Sequence, residues 1–270
     1  MAALISAEVL LPATPDALRV RERIAALADV VDVVGLPDNL AGQPRMSPLA
    51  AVALAKEQGV ATIVHVSCRD RNRLALQSQV IGAAALGSES VLCVYGDAVD
   101  DVAHVKDFTT TALIKHAKDW AAPHQLAVGA VVNPFAVDLD RELRLLKSKL
   151  AAGVDFLQSQ MIFDLDALRA FLDRTADLLA GVRFYAGVAL VRSQRLADRA
   201  RRLPGCLIPA AAYRQICIGG GIELAAELAA ELASTPGVDA LHIYPLGAET
   251  ATRDVAASFR SARGVPARRR

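Results

Sequence analysis

Short runs of β-branched and aliphatic residues recur along this chain about every 30 residues. Between successive runs lies a longer segment whose apolar residues return at helical spacing. Eight runs read as strands: Leu4–Leu11, Val30–Leu36, Ala61–Cys68, Ser90–Gly96, Leu126–Asn133, Phe156–Phe163, Arg183–Val191 and Ala240–Leu246. The intervening segments read as helices over Thr14–Ala28, Ser47–Gly59, Arg71–Leu86, Val102–Ala121, Asp138–Ala152, Asp164–Leu179 and Ser193–Leu203. Several open on an N-capping residue and close near a glycine. Strict alternation of this kind makes parallel strands covered on both faces. Eight βα units within 270 residues match a closed (β/α)8 TIM barrel, whereas a doubly wound sheet more often stops at five to seven strands. The seventh unit is longest, from Arg192 to Asp239, and the spacing predicts an extra helix there over Gly221–Ala233. Gly219-Gly220-Gly221 before it lacks a preceding strand, GxGxxG spacing and a P-loop lysine, and reads as a flexible loop. No linker rich in Pro, Gly or Ser divides the chain, so residues 1–270 read as one catalytic barrel.

Charge narrows the partners. Thirty Lys and Arg against 29 Asp and Glu leave a net charge of +1, too little to steer nucleic acid or an anionic membrane. Small molecules and further copies of the chain, as a homo-oligomer, are the expected partners. Arg268, Arg269 and Arg270 read as a solvated tail. Cys68, Cys93, Cys206 and Cys217 show no zinc spacing and read as free buried thiols in a reducing cytoplasm, with no metal site. The N-terminal run lacks a basic region and carries Glu8, so it reads as neither a signal peptide nor a membrane span.

In such a barrel, chemistry belongs to polar residues at the carboxyl ends of the strands. That rule selects Glu8, Asp38, Asn39, His65, Arg69, Asp70, Asp97, Asn133, Gln160, Asp164 and Arg192. Glu8 interrupts an apolar strand and must face the polar mouth or be buried with a raised pKa, which a general acid requires. Asp97 follows Val91-Leu92-Cys93-Val94-Tyr95-Gly96, where a glycine turn presents a carboxylate suited to stabilising positive charge or to capping a loop. His65 to Arg73 is dense in polar groups directly after a strand, a pattern shared by a functional loop and by a helix start with surface charge. Gln160 lies within a buried strand, where an amide can pair with a flat heterocycle. Neither GxSxG nor a paired Cys/His motif is present.

Taken together, these residues resemble the methylenetetrahydrofolate reductase family. The carrying segments are Glu8, Pro37-Asp38-Asn39 to Pro44-Arg45-Met46-Ser47-Pro48, His65 to Ser78, Gly82 to Gly87, Gly96-Asp97, Val132-Asn133-Pro134, Lys149 to Gly153, and Gln160 to Asp164. Cys68-Arg69-Asp70-Arg71-Asn72-Arg73-Leu74-Ala75-Leu76-Gln77-Ser78 is the most specific, and is similar to the short bacterial members. The resemblance implies FAD, or FMN, at the barrel mouth, reduced by NADH or NADPH before a folate takes its place on the flavin. It implies that Glu8 protonates N10 of methylenetetrahydrofolate, that Asp97 stabilises the resulting cation, and that Gln160, Asn39 and Arg195 meet the substrate. His65, Tyr95, Gly96, Asp97, Asn133, Glu142 and Lys149 fall where the family contacts the flavin. Lys149 comes seven residues after Glu142, about two helical turns on. This chain differs from many members in Tyr95, in Asn133-Pro134-Phe135-Ala136, and in Arg195, where an aromatic ring is common. The reverse oxidation of methyltetrahydrofolate and a non-catalytic folate-binding subunit are the alternative expectations.

Overall fold

Three Val-Asp pairs mark where strands begin: Val31-Asp32, Val154-Asp155 and Val238-Asp239. In each, the aspartate N–H donates to a carbonyl of the preceding strand and its carboxylate accepts an N–H from the same strand. Asp32 Oδ2 takes the Ile5 N–H at 2.8 Å, Asp155 Oδ2 that of Val128 at 2.8 Å, and Asp239 Oδ2 that of Phe184 at 2.8 Å. These clasps fix the entry of one strand beside the last, satisfying donors that the barrel rim would otherwise leave unpaired.

The computed structural model describes residues 4–97, 103–122 and 124–266. The strands are β1 (Leu4–Glu8), β2 (Val33–Leu36), β3 (Ala61–Ser67), β4 (Ser90–Val94), β5 (Ala127–Val132), β6 (Phe156–Met161), β7 (Arg183–Ala189) and β8 (Ala240–Tyr244). All pair in parallel and in chain order, and β8 pairs with β1 to close the barrel. Helices α1 (Ala17–Ala28), α2 (Pro48–Glu57), α3 (Arg73–Ala85), α4 (Thr110–Ala121), α5 (Leu139–Ala151) and α6 (Leu165–Leu179) follow the first six strands. Asp16, Asn72, Thr109, Asp138 and Asp164 cap five of them by accepting a first-turn N–H.

The structure differs from the expected elements in three places. Helix α4 starts at Thr110, because Thr109 caps it there. The expected start at Val102 and the tail Arg268–Arg270 lie outside the described residues. After β7 the chain makes three helices, α7 (Gln194–Ala200), α8 (Ala210–Cys217) and α9 (Gly221–Ser234), and after β8 it makes α10 (Thr252–Ala262). Neither α8 nor α10 was expected. The glycine triplet is no flexible loop. Gly219, at φ +94°, ends α8, and buried Gly221 begins α9 so close to β7's end that a Cβ would fall on the carbonyl oxygen of Val191. Cys217 is exposed, unlike the other three thiols.

Inside the barrel, Val33, Ile63, Leu92, Phe156, Tyr185 and Ala240 form an apolar plug separate from the main core between strands and helices. Gly129 makes room for it, since the Phe156 ring stands where a Cβ would be. Strand residues two places apart share a face. The residues two steps past the plug therefore also face inward: Gly35, His65, Val94, Gln158, Gly187 and His242. The interior thus turns from apolar to polar toward the carboxyl ends.

Candidate active site at the barrel mouth

Four strands build the polar layer. From β1, Ser6 Oγ lies 2.7 Å from His242 Nδ1 of β8, and Glu8 follows on the same face. From β3 comes His65, whose buried Nε2 has no hydrogen-bond partner among the described residues; the same holds for His242 Nε2 and Gln158 Oε1. Gln158 Nε2 donates to the Tyr244 hydroxyl at 3.3 Å, and that hydroxyl donates to the Ser159 carbonyl at 3.0 Å. Burial pushes His65 down to about 4 and His242 down to about 3, so both rings are neutral at pH 7. A Cβ on Gly35 would rest 3.4 Å from His65 Nε2 and 3.5 Å from His242, so the missing side chain leaves both rings room.

Glu8 is buried at the top of β1, beside Gly35 in register. Burial first, and the negative charge of Asp97 second, raise its pKa to about 7. Among the described residues no cation offsets either effect, so the carboxyl keeps a share of its proton at neutrality, as a general acid must. Asp97 is exposed, and its Oδ2 accepts the Ala41 N–H at 2.9 Å. Its carbonyl accepts from Arg69 Nη1 at 2.6 Å. Gly96 precedes it at φ +101°, packed so closely that a Cβ would meet Ser67 Oγ.

Gln160 sits at an irregularity in the β6–β7 pairing between Gln158 and Met161. Ser159 Oγ donates to the Gln160 carbonyl at 2.8 Å and accepts the Gly187 N–H at 2.9 Å, holding the bulge. Bulges of this kind re-aim a side chain beside a site. The Gln160 amide then accepts the Met161 N–H at 3.0 Å and donates to the Pro204 carbonyl at 3.2 Å. Asn133 Nδ2 donates to the same carbonyl at 3.4 Å, so the segment around Pro204 lies over the ends of β5 and β6.

Other expected residues serve the loops around the mouth. Asp38 accepts the Ser67 N–H at 3.0 Å and pairs with Arg71. Buried Arg69 pairs with Asp70 through two hydrogen bonds. Asn39, at φ 47°, accepts the Arg45 N–H at 3.1 Å and bonds Asp70. Asp164 caps α6. Lys149 and Glu142 are 3.7 Å apart and turned inward to β5: Lys149 donates to the Val131 carbonyl at 2.7 Å, and Glu142 accepts the Asn133 N–H at 3.1 Å. Tyr95 is 40% exposed and Val131 38%, which leaves one side of the mouth open to a planar ligand. Arg195 is exposed on α7, whose Ser193 cap accepts the Leu196 N–H. Ser6, Gln158, His242 and Tyr244 were missed, although the alternation in Ala240-Leu241-His242-Ile243-Tyr244 signals polar groups on one strand face.

The fold and this mouth define a (β/α)8 barrel with acid–base character at the carboxyl ends of its strands, the position where such barrels carry chemistry. Residues 2–259 match the family model for methylenetetrahydrofolate reductase, and the chain belongs to that family. Methylenetetrahydrofolate reductase 1 of Schizosaccharomyces pombe is 22% identical over 214 residues, covering 72% of this chain and 35% of that protein. Among solved structures, a Clostridium thermocellum protein that binds two copies of 5-methyl-5,6,7,8-tetrahydrofolic acid aligns with a TM-score of 0.71. It is 14% identical, with 96% of this chain and 95% of that one covered. N-acetylneuraminate lyase from Fusobacterium nucleatum aligns at 0.57 and 12% identity, over 96% and 75% of the two chains. At these identities the two structures share the fold.

Proposed function

We propose that the chain is a methylenetetrahydrofolate reductase that converts 5,10-methylenetetrahydrofolate to 5-methyltetrahydrofolate with a flavin, FAD or FMN, and NADH or NADPH. The observation that carries this reading is Glu8: a buried carboxyl with its pKa raised to about 7, under the influence of Asp97, in the polar layer above the apolar plug. The methyltetrahydrofolate held by the Clostridium thermocellum barrel supports the substrate class.

Glu8 gives its proton to N10 as the N10–methylene bond breaks, leaving a 5-iminium cation on the pterin. The Asp97 carboxylate, fixed by the Ala41 N–H, stabilises that cation as it forms. The Gln160 amide, aimed by the bulge, exchanges the Pro204 carbonyl for the pterin edge. Unpartnered His65 Nε2 and the open side formed by Val131 and Tyr95 suit the flavin ring. A flavin held there would supply the hydride chemistry, drawing on NAD(P)H, that would turn the iminium carbon into the methyl group. Lys149 and Glu142, turned to β5, contribute by holding the β5 loop.

The test is the visible spectrum of the purified protein, with and without added FAD or FMN, followed anaerobically by NADH and then methylenetetrahydrofolate. Flavin bands that bleach with the first and recover with the second are expected. Protein that binds no flavin yet turns over would remove the flavin from the reading. Absence of turnover with every flavin and nucleotide would overturn the reductase.

A further inference from the structure

The barrel closes where β1 meets β8, and Glu8 stands at the top of that seam. The β1–β8 pairing runs from Leu4 and Ala240 to Ala7 and Ile243, so the next residues, Glu8 and Tyr244, leave the ladder side by side. The chain beyond Glu8 is then fastened residue by residue. The Val9 N–H donates to the Gly35 carbonyl at 2.9 Å, and the Leu10 carbonyl accepts from Arg23 Nη1. The Leu11 carbonyl accepts from Arg45 Nη1 at 3.5 Å, and the Pro12 carbonyl accepts the Met46 N–H at 2.8 Å. Of these donors, Arg23 also reaches the β8 side: its Nε lies 3.4 Å from Glu249 Oε1, in the short helical turn Glu249–Ala251. One guanidinium on α1 therefore grips both strand ends, at Leu10 beyond Glu8 and at Glu249 beyond Tyr244.

Stability is a weak reason for this arrangement. The side chains of Arg23 and Glu249 are 15% and 14% exposed, and sinking an ion pair that far carries a desolvation cost that apolar residues would avoid. What the pair adds is a fixed separation, since the planar fork of an arginine holds two acceptors at set angles. The β8 side shows the same demand. Leu246 stands at φ +51°, a conformation uncommon outside glycine, with Gly247 at φ +83° beside it. Holding that path keeps Tyr244 beside Glu8. The titratable groups around Glu8 are Asp97 past β4, Tyr244 and His242 of β8, and His65 of β3 across the gap at Gly35. Both histidines are neutral at pH 7, so Asp97 is the charge that Glu8 meets. A reacting group displaced by about 1 Å can lose about 100-fold in rate, so the seam is where a brace has most effect.

We propose that Arg23, braced by Glu249, is a positioning residue for Glu8, fixing the two strand ends at the closing seam so that the acid meets its substrate in place; this rests on the reading of Glu8 above. The experiment measures kcat, KM for methylenetetrahydrofolate and the pH dependence of turnover. It compares the intact chain with Arg23→Met, Glu249→Gln, the double variant and Glu8→Gln, each checked for folding by circular dichroism. Both single variants should lose at least about tenfold in kcat while KM stays within about twofold. The double variant should be no worse than Arg23→Met, as for two groups acting as one unit. Both single variants should also move the fall of turnover near pH 7 downward by at least about half a pH unit, because a loosened seam admits water and lets Glu8 ionise sooner. The shared direction decides. Acting on Glu8 by charge alone, loss of Arg23 would move the fall up and loss of Glu249 would move it down. Opposite movements, an unmoved fall, or kcat within about twofold of the intact chain in either single variant overturn the proposal and leave Glu8 in its role. If Arg23→Met does not fold, Arg23→Lys replaces it: the charge is kept and the fork lost, so the same downward movement is expected, and its absence overturns the proposal. Turnover within about tenfold of the intact chain in Glu8→Gln removes the reading of Glu8, and this one with it.

Discussion

Glu8 carries opposite consequences for stability and for catalysis. In the unfolded chain it releases its proton near 4.5, and in the folded protein near 7. Below pH 4.5 the shift therefore adds no cost; the cost of ionising the buried group grows between the two values and is complete above 7. At about 1.4 kcal/mol per pH unit it reaches about 3 kcal/mol. Glu8→Gln should therefore be more stable than the parent at pH 8, by up to about that amount, and equal to it near pH 4.5, as read by denaturant unfolding. The same variant should lose at least about 100-fold in folate turnover, on the scale of a missing general acid. In the parent, turnover should fall as pH rises through about 7; a variant retaining turnover within tenfold would remove Glu8 from its role. The two buried histidines act in the other direction. Unfolded they titrate near 6.5 and folded near 4 and 3, so their contribution is full above 6.5 and is lost as the pH falls through the folded values. His242→Asn should flatten the acid side of the stability profile measured between pH 7 and 3. Glu8 could be read from sequence because a carboxylate inside an apolar strand has few physical resolutions. Its neighbours were harder: nothing local tells Lys149, which faces β5, from a lysine facing a ligand, since the choice depends on which carbonyl lies across the helix.

At the level of elements, strands were plain in the sequence because parallel barrel strands, covered on both faces, are mostly apolar, and their order followed from alternation alone. The helices after β7 were not. Helix α8 runs over Ala210-Ala211-Ala212-Tyr213-Arg214-Gln215-Ile216-Cys217, eight residues with two buried, too short for its period to stand out. Gly221 was misjudged because a glycine needed for flexibility and one needed for close approach look the same until the neighbouring strand is in place. Gly221→Ala should force the start of α9 away from Val191 and cost about 3 kcal/mol, at the upper end for a single substitution. A melting temperature unchanged from the parent would show that α9 can shift at no cost. The bulge that aims Gln160 was equally invisible, since it rests on pairing between β6 and β7 that no single strand encodes.

Across the whole molecule, stability and chemistry occupy opposite ends of the barrel. The three aspartate clasps lie where strands enter, and the acid and the bulge lie where they leave. Asp239→Ala should lower stability by about 1 kcal/mol, the worth of a partly solvated hydrogen bond, and leave the KM for folate unchanged. A raised KM with intact stability would show that the two ends are coupled. The clasps have a consequence for change in the chain itself. Each is made between a strand and its immediate successor, so it survives when the loop at the far end is lengthened, shortened or replaced. The segments after β4 and α7 can then be grafted from another barrel without refastening the sheet, leaving specificity exchangeable while the foot stays fixed.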